Sequence, residues 1–96
     1  MYGLISRMRA KDGKRDELAS IMASIGDMPG CLSYVVALEQ SDGQAIWVTE
    51  VWETAAAHAA SLTLPAVQQA VEWGRPLIAG FDQRIETAVV GGIGRP

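Results

Sequence analysis

Along residues 2–9, YGLISRMR, side chains alternate loosely, with Tyr2, Leu4, Ser6 and Met8 on one side and Gly3, Ile5, Arg7 and Arg9 on the other, the period of a strand. After KDG the period changes. In KRDELASIMASIG the apolar residues Leu18, Ile21, Met22 and Ile25 recur at i, i+3, i+4 and i+7, which predicts a helix with Asp12 as its N-cap and Gly26 as its left-handed stop. DMPG is a turn. CLSYVVALEQ and AIWVTEVWE then read as two antiparallel strands joined by SDGQ, where Asp42 and Gly43 are expected to supply the positive φ angles of a tight hairpin. Thr54 is placed to cap a short helix through AAAHAASL. Thr63 is placed to cap a second, PAVQQAVEWG, with Pro65 in its first turn, where a missing N–H is harmless, and with its end near Gly74 and Pro76. FDQRIETAVV alternates again as a last strand, and GGIGRP, residues 91–96, is expected to be a flexible tail.

The resulting order, β-α-β-β-α-β with the second α split in two, predicts an α+β fold: a four-stranded antiparallel sheet with helices on one face, the ferredoxin-like arrangement. The other face is then bare. Trp47, Thr49 and Val51 alternate against Ile46, Val48, Glu50 and Trp52, so one set leaves a tryptophan and a valine in water unless something covers them. A second subunit is the simplest cover. With no internal repeat, linker or low-complexity block, residues 1–96 read as a single domain.

Composition narrows the partners. A chain of 96 residues buries only about 60–65% of its extended-chain surface, so its core is small and dimerisation would help it. An apolar fraction of 49% with 20% charged residues excludes disorder, and the apolar runs are too short for a membrane span. The net charge is −3, and the basic residues do not cluster among aromatics, so nucleic acid is not an expected partner. The N-terminal stretch lacks the apolar core of a secretory signal, and the single cysteine, Cys31, has no partner for an internal disulfide. A cytoplasmic location fits.

Candidate chemistry is concentrated in WVTEVWETAAAH, residues 47–58, which holds two of the three tryptophans and the only histidine. Glu50 and Trp52 share a strand face, and His58 follows on the first turns of the next helix, so the three are able to cluster. An acid on the helix-covered face needs hydrogen-bond partners or a wet cavity. A polar-lined pocket between sheet and helices meets that need, and histidine being the side-chain type suited to proton transfer at physiological pH makes His58 a candidate proton acceptor. The same residues also fit a plain core, with Glu50 paired to an arginine at the sheet rim, Trp52 as filling and His58 half exposed. Tyr34, in phase with Leu32, Val36 and Leu38, brings a phenol toward the same space. The GGIGRP tail is no phosphate loop, since no helix follows it, and one histidine with scattered carboxylates offers neither a metal site nor a Cys–His pair.

Taken together, MPGCLSY, the W-x-x-E-x-W run at Trp47, Glu50 and Trp52, and AAAHAASLTLPAVQQ with His58, Ser61 and Pro65 resemble the antibiotic-biosynthesis monooxygenase superfamily, quinol-monooxygenase-like members above all, over nearly the whole chain. The resemblance implies a dimeric α+β barrel formed through the sheet faces, with one pocket per subunit. It also implies oxygenation of a small electron-rich aromatic, such as a quinol or anthrone, with no metal, flavin or other cofactor: the substrate is deprotonated, its anion gives an electron to O₂, and the radical pair recombines. Trp52 then stands as pocket wall and oxyanion donor, His58 as proton acceptor and Glu50 as the residue that orients or tunes them, while Tyr34, Ser6 and Val48 line the substrate pocket. Val48 departs from the asparagine that anthrone oxygenases carry there. The haem-degrading branch needs a strand-one asparagine and a late helix histidine, where this chain has Ser6 and Val71, and His58 lies about three and a half helical turns too early to replace the ligand. Two other readings use the same scaffold: a non-catalytic dimeric module that binds a hydrophobic small molecule, and a lactone isomerase-like activity.

Overall fold

The computed structural model describes residues 1–94; Arg95 and Pro96, the end of the tail expected to be flexible, lie outside the described residues. The chain runs β1 (Tyr2–Ala10), α1 (Arg15–Ala23), β2 (Cys31–Leu38), β3 (Ala45–Trp52), α2 (Ala55–Ser61), α3 (Pro65–Gly74), a 3₁₀ turn (Arg75–Leu77) and β4 (Ile78–Ala88). The strands form one antiparallel sheet in the order β2-β3-β1-β4, which with the helices makes an α+β fold of the ferredoxin-like kind. Among the described residues no helix is long and apolar enough to cross a membrane.

Strand alternation has the expected outcome. Leu4, Met8 and Ala10 of β1 and Ile46, Val48, Glu50 and Trp52 of β3 are buried on the side the helices cover. Arg7, Arg9, Trp47 and Thr49 lie on the other side, over which no helix packs among the described residues. Two apolar clusters hold sheet to helices. Met8, Ala10, Leu18, Ile46 and Val48 form one, and Met28, Trp52 and Val67 the other.

Helix ends depart from the expectations where side chains found other partners. α1 begins only at Arg15, behind an uncapped Lys14, because Gly13 at φ +72° turns the chain after Asp12; the Asp12 carboxylate instead accepts from Gln44 Nε2 at 2.7 Å. The helix stops at Ala23, and Gly26 reaches its left-handed φ of +87° in the following loop. Thr63 does not cap α3: its hydroxyl donates back to the Ala60 carbonyl, and the N-cap position falls to Leu64. Pro65 does open α3, and Gly74 closes it where a Cβ would stand 3.1 Å from Leu18 Cδ1. Thr54 caps α2 as expected, accepting from Ala57 N–H at 3.0 Å.

The β2–β3 connection is the clearest correction. Neither Asp42 nor Gly43 has a positive φ, so this is no primed two-residue turn. Asp42 organises the loop through its side chain and carbonyl: Oδ1 accepts from Gln44 N–H at 3.0 Å, Oδ2 accepts from Arg9 at 2.6 Å, and the carbonyl accepts from Arg15 at 2.6 Å. Such side-chain bonding lets the chain reverse without left-handed residues. β4 also starts earlier than expected, at Ile78, and its register against β1 shifts twice, between Arg7 and Met8 and between Arg9 and Ala10. Bulges of this kind bend a strand.

Candidate functional site

Between the sheet and helices α1 and α3 lies a cavity of about 300 Å³, at the lower end of the range typical of small-molecule sites. Its wall is mainly apolar. Met8, Met22 and Met28 contribute flexible thioethers from three different segments, an adaptable lining for a flat ligand. All six residues singled out from the sequence, Ser6, Tyr34, Val48, Glu50, Trp52 and His58, line this one space. The sheet register explains the convergence: Ser6 pairs with Val48, Tyr34 pairs with Glu50, and residues directly opposite in an antiparallel pair share a face.

Glu50 is buried, and its Oε1 accepts the Trp52 indole N–H at 3.0 Å. The same oxygen lies 3.9 Å from His58 Nε2, too long for a hydrogen bond but close enough for each to feel the other's charge. Burial pushes the Glu50 carboxyl above its ordinary range, opposed first by the Trp52 hydrogen bond and then by the charge of His58. Trp52 thus has its single donor committed to Glu50. An indole in that state is a wall and a clamp, and its N–H is turned to the acid instead of to an incoming oxyanion.

His58 is held on several sides. Thr54 caps its helix, and the Ser61 hydroxyl donates to the His58 carbonyl at 2.6 Å. Its ring meets Trp52 edge-on at 5.4 Å between centroids and Tyr2 at a tilt at 5.7 Å. The MPG turn packs against this helix: Gly30 has φ +80°, and a Cβ there would come within 2.7 Å of the Ala57 Cβ, next to His58. Tyr34 brings a phenol that burial, followed by the Glu50 charge, pushes up to about 12, so near neutrality it stays protonated and able to donate. Burial likewise raises the Cys31 thiol, whose Sγ contacts the Ser33 carbonyl at 3.5 Å, and Cys31 does not line the cavity. Among the described residues no three His, Cys, Asp or Glu side chains gather to hold a metal ion.

Two neighbours of the site escaped the sequence reading. Tyr2 reaches His58 because β1 pairs it with Trp52, fifty positions along the chain, and its hydroxyl is anchored to Glu86 Oε2 at 2.8 Å. Arg75, just past the end of α3, lines the cavity mouth. The change from helix to 3₁₀ turn at Gly74, Arg75 and Pro76 was the available signal for it.

Comparison with known proteins follows the same lines. The family model described as antibiotic biosynthesis monooxygenase matches residues 1–73. Among solved structures, a Chloroflexus aurantiacus protein assigned to the antibiotic biosynthesis monooxygenases is 55% identical over 97% of this chain and 96% of its own, with a TM-score of 0.95. A Deinococcus radiodurans protein of the same description is 22% identical over 98% of this chain and 97% of its own, with a TM-score of 0.80. SnoaB, a cofactor-independent oxygenase from Streptomyces nogalater studied in a substituted form, is 16% identical over 96% of this chain and 95% of its own at a TM-score of 0.76; at such identities the likeness is one of fold. No curated protein matches the chain. With the family model spanning most of the sequence and a relative more than half identical along nearly all of it, the chain belongs to the antibiotic biosynthesis monooxygenase family.

Proposed function

We propose that the protein is a cofactor-independent monooxygenase for a small electron-rich aromatic of the quinol or anthrone kind. The observation that carries this reading is the Glu50–His58 pair set in an otherwise apolar cavity. His58 takes the substrate's acidic proton, and the Glu50 carboxylate 3.9 Å from Nε2 favours the imidazolium that results. Trp52 fixes Glu50 in place, and the Tyr34 phenol donates to the developing oxyanion. The anion passes one electron to O₂, and recombination forms a C–O bond to a peroxide. The peroxide anion takes the proton back from His58; when the O–O bond breaks, the reacting carbon, the CH₂ of an anthrone or the ring carbon that carries two hydrogens in a quinol's keto tautomer, becomes C=O and the second oxygen atom leaves with two protons as water. Ser6 and Val48 shape the floor on which the ring lies.

A second copy of the chain over the uncovered sheet face belongs to the same reading. Val35 on β2 and Ile85 on β4, the two edge strands, are exposed there at 53% and 46%, so large aliphatic side chains flank the uncovered face on both sides. Light scattering during gel filtration is expected to give the mass of a dimer. A monomer at micromolar concentration rules this part out.

A non-catalytic dimeric binding module has one observation on its side: Val48 is an apolar residue in the core and the Trp52 N–H is occupied, so two possible polar anchors for a substrate are missing. Oxygen consumption separates the readings. Dialysed protein free of metal and flavin is expected to consume O₂ with a hydroquinone or anthrone above the compound's own autoxidation. Tight binding across such a panel without uptake favours the binding module.

A further inference from the structure

We infer that the ligand of this cavity is an aromatic acid, whose phenol end lies against Glu50 and His58 and whose carboxylate is received by Arg75 at the cavity mouth. The inference rests on the aromatic-binding reading above and adds to it the ligand's second functional group.

The other described arginines all have partners. Arg7 is bonded to Glu39, Asp42 and Asp82, Arg9 to Asp42, Arg15 to two backbone carbonyls, and Arg84 pairs with Glu86. Arg75 is different: it is exposed, and among the described residues its guanidinium has no hydrogen bond or ion pair, although Glu72, three residues earlier near the end of α3, shares a neighbouring cleft with it. It is also the one Lys or Arg among the described residues lining the cavity. A guanidinium with its fork of donors unused, at the edge of an apolar cavity, matches a carboxylate better than any other common ligand group.

Position supplies the orientation. α3 packs Val67 against Trp52 near its start and buries Gly74 beside Leu18 at its end, and Arg75, exposed just past that end, lies eight residues past Val67, about 12 Å along the helix axis. That is the scale of two or three fused rings with a substituent. The mouth itself is rimmed by exposed apolar side chains, Phe81 at 71%, Leu62 at 55% and Val71 at 48%, which suit the face of a ring. At the inner end the Glu50 acid disfavours a second anion, which leaves the carboxylate to the outer end. The C-terminal carbonyls of α3 are equally poor company for an anion, so the guanidinium of Arg75 is the group that holds it there.

The test compares two probes, 2-naphthol and 6-hydroxy-2-naphthoate, which share a phenol and differ by a carboxylate at the opposite end. Their binding to the wild-type protein and to Arg75→Gln is followed by calorimetry. The naphthoate is expected to bind the wild-type protein about tenfold more tightly than the naphthol, equivalent to about 1.4 kcal/mol. Added salt should shrink that preference. Arg75→Gln should bind the two probes alike while keeping its affinity for 2-naphthol, which also shows that the variant is folded. Equal binding of both probes to the wild-type protein, or a preference that survives in Arg75→Gln, overturns the assignment and leaves the aromatic site standing. Failure of the wild-type protein to bind either probe removes the aromatic site, and the assignment with it.

Discussion

Each face of the sheet carries a tryptophan whose indole N–H is given to a glutamate, and the two pairs live in opposite electrostatic settings. On the uncovered face Trp47 donates to Glu39 Oε1 at 2.8 Å, and the same carboxylate is held by Arg7. Arg7 also lies 5.8 Å from the centre of the Trp47 ring and reaches Asp42 and Asp82. The Arg7 hydrogen bond, seconded by that of Trp47, pulls Glu39 down to about 2, and Arg9 does the same for Asp42. On the cavity face Glu50 has the Trp52 N–H and a nearby histidine but no arginine bonded to it, and burial pushes its carboxyl up. An acid surrounded by cations has its charge locked and serves to tie β1, β4 and the β2–β3 loop together. An acid with one neutral donor in an apolar cavity keeps its charge adjustable, and chemistry needs the adjustable kind.

The two tryptophans give the largest expected contrast. Trp52 is 1% exposed and fills the cluster with Met28 and Val67, so Trp52→Ala should cost roughly 3–5 kcal/mol of stability in urea unfolding. Trp47 is only partly buried, and Trp47→Ala should cost distinctly less. Equal losses would mean that the uncovered face is as deeply packed as the cavity face, through a partner or otherwise.

His58→Ala sharpens the comparison in activity instead of stability. If the cavity acid and His58 act together on a proton, oxygen uptake should fall by roughly a hundredfold, the usual contribution of general acid–base catalysis, while the unfolding midpoint moves little. Full turnover in the variant would return His58 to a packing role between Tyr2 and Trp52.

How much of this was legible in the sequence depended on whether the determinant was periodic or local. Alternation placed Val48, Glu50 and Trp52 on one face and Trp47 and Thr49 on the other, because half-buried strands have no other way to sort their side chains. The α1 stripe was equally plain, with Leu18 at 1% exposure at its centre. The Asp12 cap and the Asp42–Gly43 turn failed because a short polar side chain had several partners in reach and residues distant in sequence made the choice, Gln44 for Asp12 and Arg7 and Arg9 for Asp42, whereas the Thr63 hydroxyl turned back to the Ala60 carbonyl three residues before it. The six candidate residues converge because strand register brings Tyr34 opposite Glu50 and Ser6 opposite Val48. The direction of the Trp52 N–H, the Tyr2 contact to His58 and the unpaired guanidinium of Arg75 follow from side-chain geometry that no spacing encodes.

The smallest expected effects are in pH, and here the two faces should move with opposite signs. Glu39 and Asp42 have folded values near 2, below their ordinary 4.5 and 3.8, so their contribution to stability is complete above about pH 4.5 and is lost as pH falls toward 2. Glu50 has a folded value above its ordinary 4.5, so its contribution is complete below that pH and is lost as pH rises through the raised value. Glu50→Gln keeps a side-chain oxygen for the Trp52 N–H while removing the charge whose burial is unfavourable. Its melting temperature should match that of the wild-type protein near pH 4 and exceed it at pH 8. Glu39→Gln should do the reverse: at pH 8 it melts below the wild-type protein, because Arg7 loses its charged partner, and near pH 2 the difference closes. Melting curves of the three proteins between pH 2 and 8 decide the matter. A Glu50→Gln variant that is less stable at pH 8 would mean that the His58 charge outweighs the burial of Glu50, making the pair an ion pair at rest; the cavity acid would then be as locked as the acids on the uncovered face.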